Sequence, residues 1–225
     1  MKCSAVLLNW KRPQNIERIV AGLNTGGLVD EIIVFDNNPA GELPSLHGCT
    51  LVQADRDLGL YTRFAAGCLA RNEAVLWQDD DLLLPPETLR TLLDAWSSEP
   101  DILHGIFGRA PKLDGSYAQT LTGPAEAPVV LTRVLVGHRR YCAEFLKYAC
   151  HFTEIQRDSR PLGNGEDIIF SYVARRLVGR LHRLHRLPVC ELPAPHAIHG
   201  RERNHYSHRN RLLRACEAWL KENES

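Results

Sequence analysis

The chain has no excess of charge. Its 225 residues hold 27 Lys+Arg and 27 Asp+Glu, so the formal net charge is zero. That balance argues against a general nucleic-acid binder, which is basic overall. Paired cysteines are missing as well. The seven cysteines are odd in number and form no CxxC pair. This argues against a disulfide framework and against a zinc site. Several lie among apolar residues and read as small core side chains in a reducing compartment. Long hydrophobic runs are also lacking: the opening "MKCSAVLLNWKRP" is too short for a signal peptide or a membrane span. There is no internal repeat, low-complexity tract or long linker. The GxSxG, GxxxxGK[ST] and GxGxxG patterns are absent, which weakens hydrolase, P-loop kinase and dinucleotide-oxidoreductase readings. A chain of this length, 44% hydrophobic and 24% charged, suits one domain able to bury a core without disulfides.

What is present is an alternation. "CSAVLLN" (3–9), "EIIVFDN" (31–37), "CTLVQA" (49–54) and "EAVLWQ" (73–78) are apolar runs of strand length. Between them lie helical patterns. Pro13 opens "PQNIERIVAGLN", whose Ile16, Ile19, Val20 and Leu23 share one face before Gly26-Gly27. "YTRFAAGCLARN" (61–72) and "PPETLRTLLDAWSS" follow as helices. The runs are too apolar for one-sided burial, so they predict an α/β fold with a mostly parallel central sheet covered by helices on both faces. The second half is more mixed. "DILHGIFGR" and "SYAQTLT" read as strands, "APVVLTRVLVG" (127–137) as one strand and "LHRLPVCELP" as another. "RRYCAEFLKYAC", "GEDIIFSYVARRLVG" and "HYSHRNRLLRACEAWLKEN" read as helices. Residues 1–225 form a single domain in this reading, with a regularly alternating half (1–100) and a more mixed half (101–225).

Ligands of such sheets bind beyond the carboxyl ends of the strands. Asn9, Asp36-Asn37-Asn38, Asp55-Arg56-Asp57 and Asp79-Asp80-Asp81 end four apolar runs and are expected to face one crevice. The triplet in "LWQDDDLLLPPETL" is either an acidic turn before a helix or a site for a hard cation such as Mn²⁺ or Mg²⁺. Its position after a buried strand favours the cation. In "LGNGEDIIFSYVARR", Asn164 and Asp167 can form a helix cap. Alternatively, Glu166 and Asp167 start a helix aimed at the crevice, where a carboxylate meets a substrate hydroxyl or developing positive charge. Arg63 is either a solvated helix residue or a phosphate ligand. The segment "HAIHGRERNHYSHRNR" is a solvated basic face or a site for a diphosphate, an anionic acceptor or a membrane surface. Its spacing does not match zinc.

Taken in order, "LNWKRPQNIERIV", "EIIVFDNN", "AVLWQDDDLLLPPETL", "HGIFGR", "VVLTRVLVGHRRYCAEFL", "GNGEDIIFSYVA" and "SHRNRLLRACEAW" resemble the GT-A (Rossmann-like) nucleotide-sugar transferases of the exostosin-like family. The resemblance covers nearly the whole chain and implies a nucleotide-binding half (1–100) and an acceptor and donor-sugar half (101–225). It implies a metal-dependent glycosyltransferase that takes N-acetylglucosamine or N-acetylgalactosamine from a UDP-sugar donor to an acceptor hydroxyl, with retention of configuration. A nucleotidyltransferase on a similar fold and an inactive sugar-nucleotide-binding domain are the alternatives.

The same resemblance implies roles. Asn9, Arg12 and Asp57 join the nucleotide-binding set, Asn37 contacts the uracil or ribose, and Arg63 lies near the nucleotide. Asp79 and Asp80 hold the ribose or donor sugar. Asp81, with Asp79, binds Mn²⁺ (or Mg²⁺) together with the diphosphate, so the repulsion within the triplet is relieved only when substrate binds. Asn164, Glu166 and Asp167 line the reacting sugar, Asp167 nearest the anomeric carbon. Arg201 neutralises the departing UDP, and His199 is a further diphosphate or metal contact. The transfer proceeds by front-face attack or through a covalent intermediate on Asp167. Asp57 and Glu166 stand where the family usually carries Asn and Asp. Family members are usually tethered in the secretory pathway. The lack of a tether here implies a cytoplasmic relative, with a glycan or lipid-linked acceptor, no nucleic-acid partner and no integral membrane segment.

Overall fold

The computed structural model describes residues 2–38, 43–112, 119–157, 163–195 and 205–222. The first half forms as its apolar runs require. Strands β1 (Cys3–Asn9), β2 (Glu31–Asp36), β3 (Thr50–Gln53) and β4 (Ala74–Gln78) lie parallel in the order β3-β2-β1-β4. Helix α1 (Pro13–Thr25) starts with proline at its first position and buries Ile16, Ile19, Val20 and Leu23. Alternate residues of the strands feed two cores. Ala5, Leu7, Ile32, Val34 and Leu76 pack under α1 and α3 (Pro86–Ser98). Val6, Leu8, Ile33, Phe35, Val75 and Trp77 pack on the other face. Burial on both faces is why these strands are apolar throughout.

The opposite face is covered by α2 (Thr62–Gly67), α4 (Arg140–Tyr148), α6 (Glu166–Val178) and α7 (His205–Glu222). A short α5 (Thr153–Gln156) follows a 3-10 turn after α4. Phe64 of α2 stacks on Phe170 of α6 at 4.1 Å between ring centroids, and Phe170 meets Trp77 edge-on at 5.1 Å. Such aromatic pairs add about 0.5–1.5 kcal/mol each beyond the area they bury. They lock α2 and α6 onto β4, which fixes the positions of Arg63, Glu166 and Asp167.

The remaining strands are short. They are β5 (Leu82–Leu83), β6 (His104–Gly105), β7 (Phe107–Ala110), β8 (Gln119–Thr122), β9 (Ala125–Ala127), β10 (Val129–Val130), β11 (Val134–His138), β12 (His182–Leu184) and β13 (Cys190–Glu191). The large sheet continues as β4-β11-β6-β12-β9, with β10-β7-β8 and β13-β5 as small separate sheets. Three runs read as single strands are each divided, the first of them, residues 101–109, between β6 of the large sheet and β7 of a small one. Residues 127–137 break at Leu131–Arg133 because Val130 bonds Ser171 of α6 and Leu131 N donates to Phe107 O, while the Arg133 carbonyl accepts from Asp79 N. The run 184–193 pairs as a strand only at its two ends, because Pro188 cannot extend a ladder: Leu184 closes β12 in the large sheet, and Cys190–Glu191 form β13 beside β5. Helix α2 is shorter than the expected 61–72. Leu69 N and Ala70 N donate to residues three back, Ala66 and Gly67, which tightens and ends it. Among the described residues no helix is long and apolar enough to cross a membrane.

Two histidines on the far strands are buried as neutral rings. His182 Nε2 donates to Ser171 O at 2.9 Å, and Nδ1 accepts from Leu103 N at 3.2 Å. His104 bridges His185 and the Glu99 carbonyl. Burial pushes His104 down to about 4 and His182 down to about 3. A histidine depressed in the folded state stabilises fully above its unfolded value and loses that contribution as pH falls toward the folded one. From pH 7.5 to 5 each ring is expected to remove on the order of 2 kcal/mol of stability. Urea unfolding at the two pH values checks this, and His104→Gln is expected to flatten the dependence. An equally steep loss in that variant counts against the assignment.

Candidate active site

The chain leaves β1 for β2 on one side, while β4 lies on the other. This reversal opens a crevice at the carboxyl ends of β1 and β4. Asn9 ends β1, and Asp79, Asp80 and Asp81 follow β4 directly. The four polar strand ends do meet there. Asn9 Nδ2 donates to Asp36 Oδ1 at 2.8 Å, and Asn37 N donates to Asn9 O at 3.0 Å. Asn37 is buried, and its amide grips the next loop: Nδ2 donates to Asp57 Oδ1 (2.7 Å) and Gly59 O (3.2 Å), while Oδ1 accepts from Leu58 N (2.8 Å). Gly59 has φ +82°, a conformation that favours glycine. The loop delivers the chain into α2 with Arg63 pointing inward.

The three aspartates have different partners. Arg63 Nη1 bonds Asp79 Oδ1 at 2.7 Å, and its Nε lies 3.5 Å from Glu166 Oε1. Arg12 bonds Asp80 and lies 3.8 Å from Asp81 Oδ2. Arg133 Nη2 lies 3.8 Å from Asp81 Oδ1 and pairs with Glu191 at 2.7 Å, its guanidinium resting on the Phe107 ring. The repulsion inside the triplet is thus already relieved by arginines from three elements, not by substrate alone. The turn is also strapped down. Asn15 Nδ2 donates to the carbonyls of Asp80 (2.8 Å) and Pro193 (2.9 Å), and Leu192 N donates to Asp81 O at 2.7 Å.

Compensation is incomplete. Burial, opposed by Arg12, pushes Asp80 up to about 6. Burial and then Asp79 raise Asp81. Asp81 Oδ1 is buried with no hydrogen-bond donor. A carboxylate oxygen so placed suits a hard cation. Among the described residues no group of three or more His, Cys, Asp or Glu is arranged to hold a metal. Mg²⁺-like ions are nevertheless commonly held by one or two carboxylates plus substrate phosphates and water. Asp79 and Asp81 fit that pattern.

The third part of the site is the start of α6. The helix-cap alternative is not what forms: Gly165 stands at the N-cap with φ +96° and no side-chain cap bond. Asn164 turns to α7 instead, where its Nδ2 meets His205 Nδ1 (3.1 Å) and its Oδ1 accepts from Arg209 (3.4 Å). Glu166 is buried, accepts from Thr132 Oγ1 at 3.2 Å, and is raised by burial and then by Asp167 against the pull of Arg63. Burial opposes the charge on Arg63, but Asp79 and Glu166 outweigh it and hold the guanidinium firmly protonated. Asp167 pairs with Arg209, whose Nη2 lies 2.8 Å from each carboxylate oxygen. Arg201 and His199 lie outside the described residues.

The model of the glycosyl transferase family 64 domain matches residues 3–218. The chain belongs to that family. A glycosyltransferase family protein 64 C3 of Arabidopsis thaliana is 26% identical, over 71% of this chain and 53% of the relative. The solved structure "GalNAc-T7 with UDP, GalNAc and Mn2+" aligns with a TM-score of 0.64 at 13% identity, covering 99% of this chain and 50% of the other. That likeness identifies the fold as GT-A. The chain spans about half the length of both proteins.

Several residues of this family 64 domain's crevice are not singled out by the sequence, and Arg209 figures there only as one charge of the basic segment 196–211. Arg133 interrupts the apolar run "VVLTRVLV", and that interruption was the available signal. Arg209 shares a helical face with Leu212, Leu213, Cys216 and Leu220, all buried. A charge on an apolar stripe is a buried charge in want of a partner. Asn15 carried a similar signal, being the polar member of the buried face of α1.

Proposed function

We propose that the domain moves N-acetylglucosamine or N-acetylgalactosamine from a UDP-sugar to an acceptor hydroxyl, with Asp79 and Asp81 holding Mn²⁺ or Mg²⁺ against the donor diphosphate. The observation that carries this reading is the buried, undonated Oδ1 of Asp81 at the mouth between β1 and β4. The solved GT-A neighbour, whose title names UDP, GalNAc and Mn²⁺, supports the donor and the cation. The exostosin-like resemblance supports retention. A bound cation supplies positive charge to the diphosphate as the sugar–phosphate bond breaks.

This chain's residues supply the rest. Asn9 and Asn37 fix the strand ends and the 57–59 loop beneath the nucleotide. Arg12, already beside Asp80 and Asp81, adds hydrogen bonds to the phosphates. The acceptor oxygen attacks the anomeric carbon, the bonding electrons leave on the β-phosphate oxygen, and the acceptor proton follows them. Asp167 faces the positive charge that develops on the sugar. The match to a glycosyl transferase family domain supports this reading over a nucleotidyltransferase. A thermal-shift panel of nucleotide-sugars tests the reading. A ligand at a hundred times its Kd adds about 2.7 kcal/mol, so UDP-GlcNAc or UDP-GalNAc with Mn²⁺ is expected to raise the melting temperature clearly. No shift with any UDP-sugar contradicts it.

A further inference from the structure

The link between β10 and β11 has two sides. Thr132 turns one way, where its Oγ1 donates to Glu166 Oε1 at 3.2 Å. Arg133 turns the other way, and its Nη2 lies 3.8 Å from Asp81 Oδ1. Its main chain is tied to the same turn, since the Arg133 carbonyl accepts from Asp79 N at 3.1 Å. Val134, the next residue, pairs with Gln78 at the carboxyl end of β4. The break in this strand therefore sets Arg133 at the crevice mouth, between the aspartate turn and the start of α6.

The other arginines of the crevice have less to spare. Arg63 is buried between Asp79 and Glu166, and Arg209 is buried against Asp167. Arg12 spends Nη1 on Asp80 and Nε on the Pro195 carbonyl. The side chain of Arg133 is 31% exposed. Among the described residues only its Nη2 makes hydrogen bonds, both of them to Glu191. Nε and Nη1 keep unused donors. Glu191 is itself 62% exposed, and an exposed pair costs little to break. The Phe107 ring, 4.5 Å from the guanidinium carbon, supports the group whichever anion it meets. At 3.8 Å the guanidinium is too far away to hydrogen-bond Asp81 Oδ1, so that carboxylate does not hold it.

We propose that Arg133 is a donor-binding residue, which exchanges Glu191 for the terminal phosphate of the nucleoside diphosphate, the one bonded to the sugar. The inference rests on the reading that the donor diphosphate lies against Asp79 and Asp81. The terminal phosphate is assigned because the 131–133 link also carries Thr132 to Glu166, on the side of the reacting sugar. In the empty crevice Glu191 balances the guanidinium and keeps it at the mouth. A phosphate carries more charge than one carboxylate and matches the guanidinium fork with two parallel hydrogen bonds. Arg133 thereby ends the transfer paired with the phosphate that departs on the nucleotide.

The test titrates UDP and UMP by calorimetry, at saturating Mn²⁺, into the wild-type domain, Arg133→Met, Arg133→Lys, Glu191→Gln and the Arg133→Met/Glu191→Gln pair. Arg133→Met keeps the contact with Phe107 and removes the charge. It is expected to bind UDP about tenfold more weakly. UMP lacks the terminal phosphate and is expected to bind as it does to the wild type. Arg133→Lys keeps a charge without the fork, so a loss of about threefold for UDP is expected. Glu191→Gln frees the guanidinium and is expected to tighten UDP about threefold. In the Arg133→Met background the same change is expected to do nothing.

Folded Arg133→Met with wild-type affinity for UDP overturns the proposal. An equal loss for UDP and UMP overturns it too, because the contact then lies away from the terminal phosphate. Equal tightening by Glu191→Gln with and without Arg133 overturns the exchange, since Glu191 then acts by its own charge. If Arg133→Met fails to fold, a Glu191→Gln domain that binds UDP no tighter than the wild type overturns it. A wild-type domain that binds GDP and not UDP refutes the uridine donor, and the same comparison is then read with GDP and GMP. A wild-type domain that binds neither diphosphate overturns both readings.

Discussion

Asp81→Asn is expected to lose at least about 100-fold in kcat/KM, the cost of removing one preorganised electrostatic contact from a transition state, while the fold becomes no less stable. The two effects have opposite signs for one reason. Asp81 is raised by burial and by Asp79, so its charge is held at a cost in the ligand-free protein. An amide of nearly the same shape removes that cost. Arg12 keeps Asp80, and Arg133 keeps Glu191. With substrate present, the balance reverses: the oxygen that accepts nothing in the empty crevice is the one expected to meet the cation, and an amide is a much poorer ligand for a hard ion. Steady-state kinetics and urea unfolding on the same variant separate the two effects. Wild-type activity removes Asp81 from the mechanism. Lost activity with a collapsed urea midpoint assigns it to folding.

Arg63→Met is expected to give the largest loss of stability, about 3–5 kcal/mol, the usual cost of removing one partner from a buried ionic set. Arg63 meets Asp79 through Nη1 and faces Glu166 through Nε. Its removal leaves those two carboxylates, with Asp167 nearby, facing one another across a buried space. Arg63→Lys is not expected to recover the loss, because a single ammonium cannot meet two carboxylates in two directions. Adding Glu166→Gln to Arg63→Met is expected to restore part of the stability, since Glu166 is the member most opposed to being charged. Denaturant unfolding checks the series. A loss under about 1 kcal/mol, the range of an exposed ion pair, would mean that Arg63 is solvated and the network is not what fixes α2 to α6.

The first half of the fold was legible because its signals are local. A proline at the first helical position, period-3.6 apolar faces and strands buried on both sides each point to one structure. Strand β1 and the start of α1 fall where those patterns end. The second half was less legible because distant partners decide it. Nothing within "APVVLTRVLVG" announces that Ser171, 41 residues on from Val130, will take it out of the strand that Val134 joins.

The site divides in the same way. Asp79, Asp80 and Asp81 could be placed from the strand before them. Which arginine neutralises each could not, because Arg12, Arg63 and Arg133 come from three separate elements. Arg209 stood in the basic segment 196–211 and on an apolar stripe, and neither signal named Asp167 as its partner.

The central claim is that a divalent cation at Asp79 and Asp81 holds the donor diphosphate. Calorimetric titration of UDP into the wild-type domain, with Mn²⁺ and again with EDTA, tests it most directly. The expected result is binding with Mn²⁺ that weakens at least about tenfold in EDTA, a difference of roughly 1.4 kcal/mol, and an Asp81→Asn domain that binds as weakly with Mn²⁺ as the wild type does in EDTA. Equal affinity in Mn²⁺ and EDTA, or no binding of UDP in either, would contradict it.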